Sequence, residues 1–235
     1  MAHAGDAGTP DPRCTDLSPG VVRERLSHVF WIGGGSGSAK TTVARRLADR
    51  YGMRVYDTDA AMPGHVRRLP PDEAPYLAGF AAMDMDERWV SRSPREMLDT
   101  FHWFRGEGFE LIIADLLESP ADRPVVAEGF RLLPELVHPL LADLNRAVWL
   151  LPDPRFREMV FEGRGGERWG FLARTSDPRR ALRNLLERDA LFTDRLAAQV
   201  RERGLHGLTV DASISEDELV RKVAAVFGLE DDAPG

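Results

Sequence analysis

The chain has 235 residues, 43% hydrophobic and 29% charged, which suits one compact α/β domain with a sizeable core better than two domains. A net charge of −7 argues against nucleic-acid binding as its main business, because phosphate backbones attract basic proteins. No apolar run approaches the roughly 18 residues a membrane helix needs, and the opening MAHAGDAGTPDPR lacks the apolar core and basic flank of a signal peptide, so the expectation is a cytoplasmic protein with no membrane partner.

Taken in chain order, residues 1–20 read as a loosely attached leader, and VVRERLSH after it as a short helix. Cys14, the single cysteine, lies in that leader, which excludes a disulfide framework or a thiolate metal site within one chain. Five apolar runs have strand character: His28 to Gly33, Met53 to Thr58, Pro124 to Gly129, Arg146 to Leu151 and Gly207 to Ala212. Near-continuous apolar strands alternating with helical segments predict an α/β fold, a five-stranded parallel sheet sandwiched by helices. One domain is expected over 21–230, with residues 231–235 as a tail.

The first strand leads into Gly33-Gly-Gly-Ser-Gly-Ser-Ala-Lys-Thr-Thr42 and then a helix. A glycine-rich strand-to-helix turn directs backbone N–H groups inward at phosphate oxygens, and the helix N-terminus adds its positive dipole end. Gly34, Lys40 and Thr41 match the Walker A spacing, with Ala39 where the second glycine stands. Residues Gly34, Gly35, Ser36, Gly37, Ser38, Ala39, Lys40, Thr41 and Thr42 are therefore the expected nucleotide loop, with Lys40 reaching the outer phosphates and Thr41 ligating magnesium. A helical φ at Ala39 adds only crowding, whereas a positive φ costs on the order of 1 kcal/mol or more. The chain has 29 arginines and two lysines, Lys40 and Lys222, so a lysine at this position stands out.

The second strand ends in Asp57-Thr58-Asp59, at the sheet edge where ligands bind in open α/β folds. One of Asp57 and Asp59 is expected to take an acceptor proton and the other to hold substrate or a magnesium-bound water; Asp59 serving only as a helix cap is the alternative. Glu128, ending the third strand, is expected to orient magnesium. Its rival, Asp115 in LIIAD, lies in a segment whose apolar residues follow helical spacing. Between these strands Trp89, Phe101, Trp103 and Phe104 accompany Arg88, Arg92 and Arg95; such aromatics serve as core more often than as a substrate stack, although a substrate pocket is expected there. His65, Arg67 and Arg68 are open in the same way.

After the fourth strand a Gly-rich turn lies among closely spaced arginines, over about residues 162–176. A closing loop of this kind brings cations onto a transferring phosphoryl group and excludes water, which makes Arg164, Arg168 and Arg174 catalytic candidates, with Arg183 and Arg188 on the helix behind. The spacing of Leu182, Leu185, Phe192, Leu196 and Val200 predicts that helix over about Pro178 to Arg203. Asp211 and Ser213, past the last strand, are candidates for the adenine edge.

Together these residues resemble the nucleoside-, shikimate- and adenylate-kinase-like branch of the P-loop kinases, within the P-loop nucleoside triphosphate hydrolase superfamily. Asp57-Thr58-Asp59 is similar to the Asp-x-Asp of shikimate kinases, Glu128-Gly129 to a segment of uridine-kinase-like enzymes, and the arginine-rich lid to that of adenylate kinases. Asp86 to Trp89 and Arg92 to Pro94 resemble segments of a group of bacterial kinase-like proteins. The resemblance implies sheet order 2-3-1-4-5. With the phosphate loop, the leading expectation is an ATP- and Mg2+-dependent kinase, monomer or homodimer, transferring phosphate to a nucleoside, sugar, polyol or antibiotic hydroxyl. A nucleotide-binding regulatory protein with little transfer activity is the alternative that Ala39 supports.

Overall fold

The structure, a computed structural model, describes residues 18–229. Cys14, most of the expected leader and the expected tail lie outside these residues, while Ser18 precedes the short helix α1 (Pro19–Arg25). Five strands follow the expected runs: β1 (Val29–Gly34), β2 (Arg54–Asp57), β3 (Val125–Glu128), β4 (Ala147–Pro152) and β5 (His206–Val210). All pair in parallel, in the order β2-β3-β1-β4-β5.

Alternation along each strand divides the core. Val29, Trp31, Val125, Ala127, Ala147 and Trp149 face one side, packing with α1, α6 (Phe109–Glu118) and α9 (Pro178–Glu202). Phe30, Ile32, Val126, Val148 and Leu150 face the other, against α2 (Lys40–Tyr51) and α10 (Glu216–Val226). Asp115 is helical, within α6. Among the described residues no helix is long and apolar enough to cross a membrane.

The remaining elements surround the strand ends. After β2 come α3 (Thr58–Arg68) and α4 (Pro75–Ala82), a five-residue π-helix over Glu87–Ser91, α5 (Pro94–Thr100) and a 3-10 turn over His102–Arg105. A short α7 (Pro134–Val137) precedes β4, and α8 (Pro154–Gly163) follows it. Between α8 and α9 the chain makes two 3-10 turns, Gly166–Arg168 and Leu172–Arg174. A third apolar cluster joins these parts: Trp89, Val90 and Met97 from the insertion between β2 and β3, Phe161 and Leu172 from the α8–α9 region, and Ala181 and Leu185 from α9.

The arginines of the insertion are occupied in bracing it. Arg88 donates to the carbonyls of Phe80 and Ala81, Arg92 to Thr100 Oγ1 and the carbonyls of Glu87 and Arg88, and Arg95 pairs with Asp99. His102, 3% exposed, packs among Phe80, Phe101 and Trp103 at ring distances of 5.0, 4.6 and 4.4 Å. Burial, together with the positive charges of Arg131, Arg188 and Arg88, holds its pKa down at about 3. The unfolded chain takes up a proton here near pH 6.5 and the folded chain does not until about pH 3. Stability contributed by neutral His102 is therefore lost as pH falls through that window, by up to about 1.4 kcal/mol per pH unit. His102→Phe is expected to remove about one proton from the acid-side slope of stability against pH, followed by urea denaturation at stepped pH; an unchanged slope refutes this assignment.

Candidate functional site

Around β1 the chain leaves no room for side chains. A Cβ added at Gly33 would lie 2.3 Å from Trp149 Nε1, one at Gly34 2.1 Å from the Leu150 carbonyl, and one at Gly35 2.6 Å from Thr193 Oγ1. Gly34 also has φ +135°, a conformation other residues rarely adopt. The three glycines let the strand run flush against β4 and α9 before turning, so residues 35–39 curl over the start of α2. Arg157, 1% exposed, donates to Thr193 Oγ1 and the Pro152 carbonyl, bracing the outside of this loop.

Lys40 is folded into the loop it ends. Its Nζ donates to the Gly35 carbonyl at 2.7 Å and to Ser38 Oγ at 3.3 Å, and the residue is only 8% exposed. Burial lowers its pKa, against which the charges of Glu128 and Asp59 act. Thr41 Oγ1 donates to Glu128 Oε1 at 2.8 Å, so the first helical turn and the end of β3 meet. Glu128 is 2% exposed, and burial raises its carboxyl above the usual range despite the Thr41 bond and the Lys40 charge.

Ala39 has φ 61° and ψ 17°, the single non-glycine residue with positive φ among those described. The left-handed region costs a Cβ-bearing residue roughly 1–2 kcal/mol, partly offset because glycine has more freedom to lose on folding, about 0.4–1 kcal/mol. Ala39→Gly is accordingly expected to stabilise the protein by about 0.5–1 kcal/mol, seen as a higher urea midpoint at unchanged slope; a lower midpoint would show that the methyl contributes packing that outweighs the strain.

The two aspartates after β2 have different surroundings. Asp57 Oδ1 accepts the N–H groups of Asp59 (2.9 Å) and Ala60 (3.0 Å), so Asp57, not Asp59, caps α3. Asp59, in the first turn, faces the cavity with Lys40 and Glu128. Desolvation by the cavity walls raises its carboxyl, moderated by the nearby Lys40 ammonium. Gly129, φ +148°, passes so close to Thr58 that a Cβ there would fall 1.7 Å from Thr58 Oγ1, which seats α3 directly on the end of β3.

Behind α3 lies a polar network that spacing did not reveal. Tyr56 Oη and Arg68 donate to Asp115, at 2.7 and 2.9 Å, and His65 Nε2 lies 2.7 Å from its carboxylate. Arg131, 2% exposed and stacked 4.1 Å over Trp103, donates to His65 Nδ1 and the Gly108 carbonyl. Burial alone would raise the Asp115 carboxyl, but the bonds from His65, Tyr56 and Arg68 outweigh it and hold it low; burial pushes Arg131 down to about 10. This network clamps α3 to α6 and to the segment after β3, which fixes the residue two positions along from its cap, Asp59.

One cavity of about 420 Å³ brings these parts together. Ser36 to Thr42, save Ser38, form one end with Asp59 and Glu128; Arg164, Arg188 and Asp189 also line it. Among the expected lid arginines only Arg164 lies on this wall, with its guanidinium 5.6 Å from the rings of Phe161 and Trp169. Arg168 lines a separate hollow with Glu167, Ser176 and Asp177, while Arg174 and Arg183 are exposed and line neither. Asp211 and Ser213 line a third hollow with Asp153, Arg155, Phe156 and Met159. Trp89, Phe101 and Phe104 both join the core and face the cavity, whereas Trp103 does not reach it. Asp189, Phe161, Trp169 and Phe171 were not singled out from the sequence, because each sits in a segment whose local pattern reads as helix or arginine-rich turn; Phe130, just after β3, carries no local signal of its own.

No protein-family model matches the sequence, and no curated protein does. Among solved structures, a gluconokinase from Sinorhizobium meliloti 1021 is similar at 18% identity, covering 85% of this chain and 90% of that one with a TM-score of 0.43. An uncharacterized protein from Eubacterium ventriosum ATCC 27560 is similar at 15% identity, over 86% of this chain and 98% of that one, with a TM-score of 0.44.

Proposed function

We propose that this protein is an ATP- and magnesium-dependent phosphotransferase acting on the hydroxyl group of a small molecule. The observation that carries the reading is the joint geometry of Lys40, Thr41 and Glu128: a lysine folded into a glycine-rich cradle at a helix N-terminus, and a hydroxyl hydrogen-bonded to a buried carboxylate at the end of an adjacent strand. In this reading Gly34 to Thr42 are the P-loop, the domain spans residues 21–230, and residues 162–176 form its lid.

The residues present suit the ligand. Lys40 Nζ now satisfies itself on Gly35 and Ser38, partners that an outer phosphate can replace. Magnesium in such sites keeps several waters and takes one or two protein oxygens beside the phosphates, and Thr41 and Glu128 offer that pair. No cluster of three or more His, Cys, Asp or Glu that could cage a metal unaided occurs among the described residues. When bound, magnesium supplies neutralisation of the phosphate charge. Asp211, Ser213 and Arg155 border the hollow suited to the adenine.

In the transfer, the acceptor oxygen forms a bond to the terminal phosphorus as the bond to the bridging oxygen breaks and ADP leaves. Asp59 accepts the hydroxyl proton: it faces the cavity with its carboxyl raised by desolvation, whereas the Asp57 carboxylate is engaged by the N–H groups of Asp59 and Ala60. Lys40 and Arg164 balance the negative charge that spreads over the transferring oxygens. Arg168 and Arg174 act only if the lid moves them inward from where they now stand.

The test is ADP release from ATP and magnesium, screened over nucleosides, sugars, polyols and aromatic alcohols. Release stimulated by one acceptor class is the expected result. Binding of ATP without stimulation by any class favours the second reading, a nucleotide-binding regulatory protein, for which the strained Ala39 is the supporting observation. Absence of ATP binding sinks both.

A further inference from the structure

The cavity is polar at the loop end, and the rest of its wall is largely aromatic, with Arg164, Arg188 and Asp189 set among the rings. Of the chain's five tryptophans, eleven phenylalanines and three tyrosines, seven line this one space. They come from separate parts of the chain. Trp89 is presented by the π-helix, an element that often marks functional sites, and Asn184 Nδ2 holds that helix by donating to the Trp89 and Val90 carbonyls at 3.1 Å. Phe171 lies 4.5 Å from Trp89, and Trp169 5.5 Å from Phe171, both from the turns after α8. Packing alone would close rings onto one another, yet here they bound a space of about 420 Å³, within the range of small-molecule sites.

Charge on the wall is balanced. Three cations, Lys40, Arg164 and Arg188, stand with three carboxylates, Asp59, Glu128 and Asp189. Arg188, 5% exposed, sits 4.8 Å from the Phe101 ring, 5.1 Å from Phe104 and 5.3 Å from Trp89, and its Nε and Nη2 both donate to Asp189 Oδ1. Arg188 Nη1 and Asp189 Oδ2 are left buried without partners. A buried polar atom without a partner is costly, and an unpaired donor and an unpaired acceptor on two residues that line the same cavity match a ligand edge offering the reverse.

We infer that the acceptor is a hydroxyl compound carrying a planar aromatic or heteroaromatic ring and no net charge, with the ring laid on the Trp89 and Phe171 wall and a polar edge turned to Arg188 and Asp189. The inference rests on the phosphotransferase reading of this site. Once nucleotide phosphates engage Lys40 and Arg164, the remaining cation, Arg188, is matched by Asp189, so an anionic acceptor has no free partner. A ring-free polyol would instead desolvate its hydroxyls against carbon.

The test titrates uridine, tyrosol and pyridoxine, as neutral ring compounds, against ribitol, which has no ring, and uridine monophosphate, which adds charge to the same ring. Calorimetry is done with ADP and magnesium present, on the native protein, Trp89→Leu and the less buried Phe171→Leu. At least one neutral ring compound is expected to bind about tenfold or more tighter than ribitol and uridine monophosphate, and to lose about tenfold in either variant, the loss of one ring stack. Tighter binding of ribitol or uridine monophosphate overturns the inference, as does binding of no ring compound, or ring binding unchanged in both variants when circular dichroism shows them folded. Failure of the parent reading looks different: ATP and magnesium do not bind, and the same titrations, run without nucleotide, still decide whether the wall takes a ring.

Discussion

Replacement of Lys40 by alanine is expected to weaken binding of ATP with magnesium by about 100-fold or more, measured by calorimetry. Two charge-assisted hydrogen bonds to phosphate oxygens are worth roughly 3 kcal/mol or more together, and each 1.4 kcal/mol is a factor of about ten. The fold should survive, because both partners of Nζ, Gly35 and Ser38, belong to the loop itself and no other element is held by the side chain. Lys40→Arg is not expected to rescue binding. The ammonium sits 2.7 Å from the Gly35 carbonyl inside a closed cradle, and a planar guanidinium is both larger and differently shaped. Binding within a few-fold of native in the alanine variant, with the melting transition intact, would remove the loop from the nucleotide site.

Asp59→Asn and Asp57→Ala should separate transfer from folding. Asp59 lines the cavity and its carboxyl is raised by desolvation, so the neutral amide is expected to leave stability unchanged or higher while lowering kcat by about 10²- to 10⁴-fold, the usual worth of a positioned base. Asp57 instead holds two N–H groups at the start of α3. Its removal is expected to cost about 1 kcal/mol in urea denaturation, within the range for a lost cap, with a smaller fall in kcat. If kcat collapses in Asp57→Ala and persists in Asp59→Asn, the base is Asp57 and the cavity assignment of Asp59 is wrong.

How much of this was legible in the chain differs from element to element. The runs from His28 and Arg146 are apolar without interruption because β1 and β4 are buried on both faces, and they read as parallel strands for that reason. Phe109, Ile112, Ile113 and Leu116 follow a helical period because α6 buries one stripe, which placed Asp115 on a helix without any tertiary knowledge. The sheet order implied by the family resemblance is the order observed. The glycine-rich loop was visible as well, since the close approach of β1 to β4 and α9 leaves no space for a Cβ at Gly33, Gly34 or Gly35.

The amino-acid sequence by itself thus determined the strands, the long helices, the parallel sheet and the residues of the loop, because each of these depends on burial or backbone space repeated at short range. Tertiary structure alone decided that Ala39 is left-handed, that Asp57 caps while Asp59 faces the cavity, and that Arg164 and Arg188 reach the cavity while Arg168 and Arg174 do not. It also decided that Trp89 from the π-helix, Phe171 from a turn and Asp189 from α9 share one space. A loop's φ angle, the choice between two acids two residues apart, and the meeting of side chains far apart in the chain all depend on how connecting segments pack. No periodicity within a single segment carries that information.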